Sequence, residues 1–191
     1  YTDVLDTKDI AIPGAHNVEN YMTAIGAVWG LVDIQTIRKV AREFGGVAHR
    51  AELVRTLNGV RYYNDSIASS PSRTIAGLRS FKEKVLLIAG GYDKHIPYDV
   101  LGPEICQHVK TVYVNGATGG KIREAVENAP NYVPGFPVIV DCADFTDAVQ
   151  RSAADAVNGD VVLMSPASAA FDQFKNFMER GNYFKKLIKE L

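Results

Sequence analysis

Between residue 16 and about residue 31 the apolar positions Val18, Tyr21, Met22, Ile25, Val28 and Trp29 recur at helical spacing, which predicts an amphipathic helix. Pro13-Gly14 opens it, and Asn17 can cap it. A second helix is expected from Asp33, an N-cap residue, to Phe44, with Ile34, Ile37, Val40, Ala41 and Phe44 on one face. Gly45-Gly46 stops it. The pattern changes there from helical to strand period, so the domain boundary is expected at this pair, between residues 1–45 and 46–191.

Beyond the boundary, residues 51–57 and 60–64 are two β-type runs around Asn58-Gly59, the strongest short-range hairpin signal. Helix-type and strand-type stretches then alternate. Helices are expected at about 71–81, 100–109, 120–128, 145–157 and from Asp172 onward; strands at 85–89, 111–114, 138–140 and 161–164. Continuous apolar runs such as Val85-Leu86-Leu87-Ile88-Ala89 belong to strands buried on both faces. The expectation is an α/β fold: a Rossmann-like, mostly parallel sheet with an N-terminal hairpin strand, flanked by helices on both faces and preceded by a short helical segment.

Ligands of such sheets bind outside the carboxyl ends of the strands. That rule selects Asn64-Asp65-Ser66, Gly90-Gly91-Tyr92-Asp93-Lys94, Asn115-Gly116-Ala117 and Ser165-Pro166-Ala167-Ser168. Ser69-Ser70-Pro71 reads as an N-cap followed by Pro at the first helical position. A helix start of this kind suits a carboxylate or phosphate, or is simply a capped helix. Gly90-Gly91 permits a tight turn or close approach of a ligand, with Lys94 placing a flexible cation beside it. Arg50 has the fork geometry for a bidentate hold on an anion. Asn17 and Asn20, three apart on one helix face, can read a purine edge or cap the helix. Gly116-Ala117-Thr118-Gly119-Gly120-Lys121 imitates a phosphate loop but is one residue short, with Ile122 where a magnesium-binding hydroxyl belongs. It is read as a flexible turn.

Composition narrows the field. Of 191 residues 47% are hydrophobic and 23% charged, and 21 Lys and Arg balance 22 Asp and Glu, so a nucleic-acid partner is not expected. No apolar stretch approaches the ~20 residues of a membrane span and no signal-peptide pattern opens the chain. A cytoplasmic protein with no membrane partner is expected. Cys106 and Cys142, without CxxC or Cys/His spacing, read as free thiols, and no metal-ligand cluster stands out. The first residue, Tyr1, lies in strand-like sequence without an initiator Met, which suggests a piece of a longer chain.

Several ordered segments together resemble the Mur ligases. They are Ile12-Pro13-Gly14-Ala15-His16-Asn17-Val18-Glu19-Asn20, Val47-Ala48-His49-Arg50-Ala51-Glu52, Asn58-Gly59-Val60 through Asn64-Asp65-Ser66, Leu87 through Lys94, Leu163 through Phe177, and Glu179-Arg180-Gly181. Within that family the resemblance is to the branch that joins D-glutamate to UDP-N-acetylmuramoyl-L-alanine with ATP and Mg2+, by way of an acyl phosphate. It implies that residues 1–45 are the tail of a central ATPase domain and 46–191 a C-terminal domain. The UDP-binding domain, the phosphate loop and most magnesium ligands would then lie outside this chain, which alone should be inactive; a monomer is expected. By resemblance Asn17 and Asn20 would contact adenine, Arg50 the γ-phosphate and Asp65 the ribose. Ser69, Lys94 and Phe177 would line the D-glutamate site, with Phe171 among the substrate-binding residues, and Arg50 and Lys94 would be the catalytic cations.

Two positions depart from the family pattern: Ile67 stands where a Lys is usual, and Ala170 where a Ser contacts the substrate carboxylate. Arg73, in a first helical turn where the dipole opposes a cation, is expected to replace the Lys, and Ser168 the hydroxyl. The alternatives are a non-catalytic nucleotide-binding α/β module and a Mur ligase for another amino acid.

Overall fold

The computed structural model describes residues 2–12 and 14–191. Tyr1, Pro13 and the side chain of His16, all used in the sequence reading, lie outside the described residues. The chain divides into two compact units, residues 1–47 and 48–191.

In the first unit a 3-10 turn, Thr7–Asp9, precedes α1 (Ala15–Val28) and α2 (Ile34–Glu43). Asp33 caps α2, its carboxylate accepting the Thr36 N–H at 2.9 Å. The expected cap at Asn17 is corrected: Gly14, with φ of 104°, holds the cap position and Asn17 is the third helical residue. Ile37 and Ala41 of α2 are buried, and Arg38 ties the N-terminal segment down by donating to Val4 O at 2.7 Å and Asp3 O at 3.0 Å.

The second unit holds β1 (Glu52–Leu57), β2 (Val60–Asn64), α3 (Pro71–Leu78), β3 (Val85–Gly90), α4 (Leu101–His108) and β4 (Val109–Asn115). These are followed by α5 (Gly119–Glu127), β5 (Val138–Asp141), α6 (Phe145–Asp155), β6 (Val161–Met164) and α7 (Phe177–Glu190). Asn58 and Gly59 both take positive φ, 51° and 78°, as the tightest hairpin turns require. The sheet order is β1-β2-β6-β3-β4-β5, with β1 antiparallel and the remaining neighbours parallel. Alternation along β3 explains the two-sided burial. Leu87 and Ala89 pack with Leu101, Ile105 and Ile122 on one face; Leu86 and Ile88 pack with Phe145, Phe184 and Ile188 on the other.

Several boundaries differ from expectation: α1 stops at Val28, α6 at Asp155, and β4 begins at Val109. The helix expected to reach Phe81 ends at Leu78, where Arg79, Ser80 and Phe81 form successive turns and the Phe81 ring packs edge-on against Tyr63 at 5.0 Å. The last helix begins at Phe177 rather than Asp172. Asn176 accepts the Glu179 N–H at 2.9 Å while Glu179 reaches back to the Lys175 N–H at 3.0 Å, a capping exchange that fixes the start. Because the connection from β5 returns β6 to a place between β2 and β3, neighbouring β3 and β6 send their following segments in opposite directions. A crevice is therefore expected at their carboxyl ends.

Candidate functional site

The loop carrying Arg50 is held in an unfavourable backbone shape. His49 and Ala51, on either side, have φ of 67° and 44°, a region costly for side chains with a β-carbon. Hydrogen bonds hold it there. The His49 N–H donates to Glu52 Oε2 at 2.9 Å, the Ile67 N–H donates to His49 O at 3.1 Å, and the Ala51 N–H donates to Asp65 Oδ1 at 3.1 Å. The Asn64 amide nitrogen lies 3.0 Å from His49 Nδ1; since that amide can only donate, the ring nitrogen accepts. Burial, and then the charge of Lys185, lowers the His49 pKa and favours this neutral form. The His49 ring also meets Phe177 edge-on at 6.0 Å. A β-carbon on Gly181 would collide with His49 Nδ1, so only glycine fits there.

Arg50 itself is exposed. Among the described residues it has no hydrogen bond or ion pair.

Asp65 is buried, with 5% exposure. One carboxylate oxygen holds the Ala51 N–H; the other accepts the Ser165 hydroxyl at 2.7 Å, and Ser165 is linked in turn to Thr74 at 3.0 Å. Burial pushes the Asp65 pKa up to about 6, against the opposing pull of those two hydrogen bonds and of the Arg50 and Arg73 charges. The residue read as a ribose contact thus has both oxygens engaged in tying the loop after β2 to the Arg50 loop and to the loop after β6.

Arg180, to which the sequence alone assigns no role, joins these loops. It is 2% exposed and, among the described residues, forms no ion pair, although the charge of Asp172 acts on it. Its Nε donates to Ser66 Oγ at 3.1 Å, and its two terminal nitrogens to Ser66 O at 3.0 Å, Ala169 O at 3.1 Å and Ser168 O at 3.1 Å. Burial draws its pKa down to about 10. Ser66 Oγ also donates to Phe177 O at 2.7 Å. One guanidinium therefore joins α7 to the loops after β2 and β6. The Tyr92 N–H reaches the same Ala169 carbonyl at 2.9 Å and brings in the loop after β3. The available signal was an arginine in a first helical turn, where the dipole opposes it.

Lys94 is exposed on the loop after β3 and, among the described residues, has no hydrogen bond or ion pair. Gly90 and Gly91, with φ of 118° and 145°, carry the chain into this loop where a β-carbon would strike Asn115 O or Ala169 O. Tyr92 and Phe171, both exposed, stand edge-to-face at 5.8 Å beside it.

The substitute residues fare differently. Arg73 approaches Ile67 O at 3.5 Å, so its cation stands beside the residue that replaces the family Lys. Ser168 is fully buried, its hydroxyl hydrogen-bonded to Tyr98 OH and Thr118 Oγ1, both at 2.8 Å. That hydroxyl ties the loops after β4 and β6 together instead of lining a surface. Ser69 is half-buried ahead of α3, and Ser70, at the cap position, makes no side-chain cap bond; its carbonyl instead accepts the Arg73 N–H at 3.2 Å and the Thr74 N–H at 3.3 Å. The phosphate-loop imitation is a turn entering α5.

Asn17 and Asn20 lie in the first unit, where the Asn20 amide donates to Asn17 Oδ1 at 3.3 Å, as their shared face requires. Cys106 and Cys142 are free. Among the described residues no group of three or more His, Cys, Asp or Glu gathers to hold a metal, and no helix is long and apolar enough to cross a membrane.

Comparison with known proteins finds that the family described as Mur ligase, glutamate ligase domain, matches residues 49–168. The UDP-N-acetylmuramoylalanine--D-glutamate ligase of Acetivibrio thermocellus is 53% identical over 192 residues, covering 100% of this chain and 41% of that protein. The enzyme of the same name from Ruminiclostridium cellulolyticum is 49% identical with the same coverage. The chain thus spans about two fifths of the length of these relatives. Among solved structures, UDP-N-acetylmuramate-alanine ligase from Thermotoga maritima superposes with a TM-score of 0.69 at 15% identity, covering 94% of this chain and 39% of that one. Folylpolyglutamate synthase from Mycobacterium tuberculosis superposes at 0.63 and 15%, covering 96% and 42%. At that identity the likeness is one of fold.

Proposed function

This chain belongs to the Mur ligase family, and on that premise we propose that it is the C-terminal part of an ATP-dependent ligase forming an amide bond between UDP-N-acetylmuramoyl-L-alanine and D-glutamate. The acceptor specificity follows the names and the 53% and 49% identities of the two relatives above. In this reading residues 1–45 are the tail of the ATPase domain and 46–191 the domain that brings the amino acid. Magnesium accompanies the nucleotide phosphates, with its protein ligands outside this chain. The setting is cytoplasmic peptidoglycan synthesis, by a monomer.

One observation carries the chemical part. Arg50 and Lys94 are exposed cations without a hydrogen bond or ion pair among the described residues, yet the backbone on either side of each is held by hydrogen bonds. A cation held rigidly and left unneutralised is preorganised for an anion from outside, which is how phosphoryl transfer and amide formation are assisted by position and charge. Arg50 suits the γ-phosphate that activates the acceptor carboxylate. Lys94, with Arg73, suits the two carboxylates of D-glutamate, leaving its amine free to attack. Phe177 and Phe171 supply apolar walls, and Asn17 and Asn20 the amides for adenine. Asp65 is assigned to hold the Arg50 loop, with ribose contact requiring one of its oxygens to be released.

The test uses the full-length protein. Lys94→Ala raises KM for D-glutamate with KM for ATP unchanged, and Arg50→Ala lowers kcat/KM for ATP, each by about tenfold or more, as expected for a lost charge-assisted contact. Equal kinetics in both variants and the parent would overturn the assignment.

A further inference from the structure

The loop after β3 contains a carboxylate immediately before its functional lysine. Asp93 precedes Lys94 in sequence, and an ammonium on a flexible stem goes to a nearby carboxylate when one is available. Here the carboxylate is taken. Lys121, the third residue of α5, places its Nζ 2.6 Å from Asp93 Oδ2, while Asp93 Oδ1 accepts the His95 N–H at 2.8 Å. That second bond closes a turn in which His95 has φ of 56°, with Lys94 between the two bonded residues. The His95 ring adds a weaker approach, Nδ1 to Oδ2 at 3.5 Å. Lys121 therefore supplies the cation that neutralises Asp93.

We propose that Lys121 is a positioning residue that holds Asp93 away from Lys94 and so keeps Lys94 free for an acidic amino-acid substrate. The proposal rests on the reading of Lys94 as the cation for D-glutamate. It gives a task to the lysine of the sequence that imitates a phosphate loop: its partner is a protein carboxylate. Two physical effects work in the same direction. Without Lys121 the carboxylate of Asp93 can pair with Lys94, and its uncompensated charge also repels an incoming dicarboxylate. The strength of the existing pair is visible in Asp93, whose carboxyl is held below the usual range first by the hydrogen bond from Lys121 and next by the His95 N–H.

The experiment is a rescue in the full-length protein, with D-glutamate as the varied substrate. Lys121→Ala should raise KM for D-glutamate about tenfold, leaving kcat and KM for ATP within about twofold of the parent. Asp93→Asn combined with Lys121→Ala should restore KM to within about twofold, because the amide still accepts the His95 N–H but can neither capture Lys94 nor repel the substrate. A double variant as impaired as Lys121→Ala alone would mean that Lys121 merely anchors the loop, and the proposal would fail. An unchanged KM in Lys121→Ala would also end it. A parent protein that consumes no D-glutamate would instead overturn the functional reading beneath it.

Discussion

Replacing Arg180 with Met keeps a long unbranched side chain in its channel and removes the guanidinium that joins α7 to the loops after β2 and β6. The parent arginine donates four hydrogen bonds, three of them to buried backbone carbonyls. Each bond from a charged donor contributes about 1.5–3 kcal/mol, and each stranded carbonyl costs about 1–3 kcal/mol. Against that stands the cost of burying the charge: the fall of the Arg180 pKa to about 10 corresponds to about 3 kcal/mol. Taking the bonds at the low end of that range, and setting aside the carbonyl cost because it counts the same lost bonds, the balance is a net destabilisation of about 3 kcal/mol or more for Arg180→Met, with Arg180→Lys, which keeps the charge but cannot span the four acceptors, losing about half as much. Urea unfolding followed by far-ultraviolet circular dichroism reads this directly. With a slope of about 2 kcal/mol per molar urea, the Met variant's midpoint drops by about 1.5 M. A Met variant within about 0.5 kcal/mol of the parent would show that the four bonds do no more than offset desolvation, refuting the view that Arg180 organises the rim.

Three further outcomes are expected. Gly181→Ala drives a β-carbon into His49 Nδ1 and should cost about 1–3 kcal/mol of stability, with a raised KM for ATP in the full-length protein; undiminished stability would show that the packing yields freely. Asp65, whose pKa is higher in the fold, at about 6, than the ordinary 3.8, gives up its proton first in the unfolded chain. Stability relative to Asp65→Asn therefore falls as pH rises from about 4 to about 6, by up to about 3 kcal/mol, and then levels; a pH-independent difference between the two proteins would contradict the burial argument. Arg73→Ala should raise KM for D-glutamate if Arg73 stands in for the cation missing at Ile67, and an unchanged value would dismiss that role.

The alternation of helix-type and strand-type stretches was enough to expect the parallel sheet, because strands buried on both faces, such as Val85 to Ala89, advertise themselves by continuous apolar sequence. Asn58-Gly59 likewise declared its turn through the two positive φ values it adopts. The start of α7 was not read, since the Asn176 and Glu179 capping exchange interrupts no periodicity. Around the candidate site, exposed loop cations were legible, Arg50 ahead of β1 and Lys94 on the glycine-rich loop after β3. The buried polar side chains were not. Nothing local in the sequence says that Ser168 turns inward to Tyr98 and Thr118, or that Arg180 has only backbone and hydroxyl acceptors. Such partners lie as much as 114 residues apart, as for Arg180 and Ser66, and only tertiary structure brings them together.

The most direct measurement is ADP release by the full-length protein supplied with ATP, Mg2+ and UDP-N-acetylmuramoyl-L-alanine, with D-glutamate, L-lysine or diaminopimelate added in turn. The account predicts release that depends on D-glutamate and is matched by formation of the amide product. Release with a basic or diamino substrate in its place, or nucleotide binding without turnover of any amino acid, would contradict it.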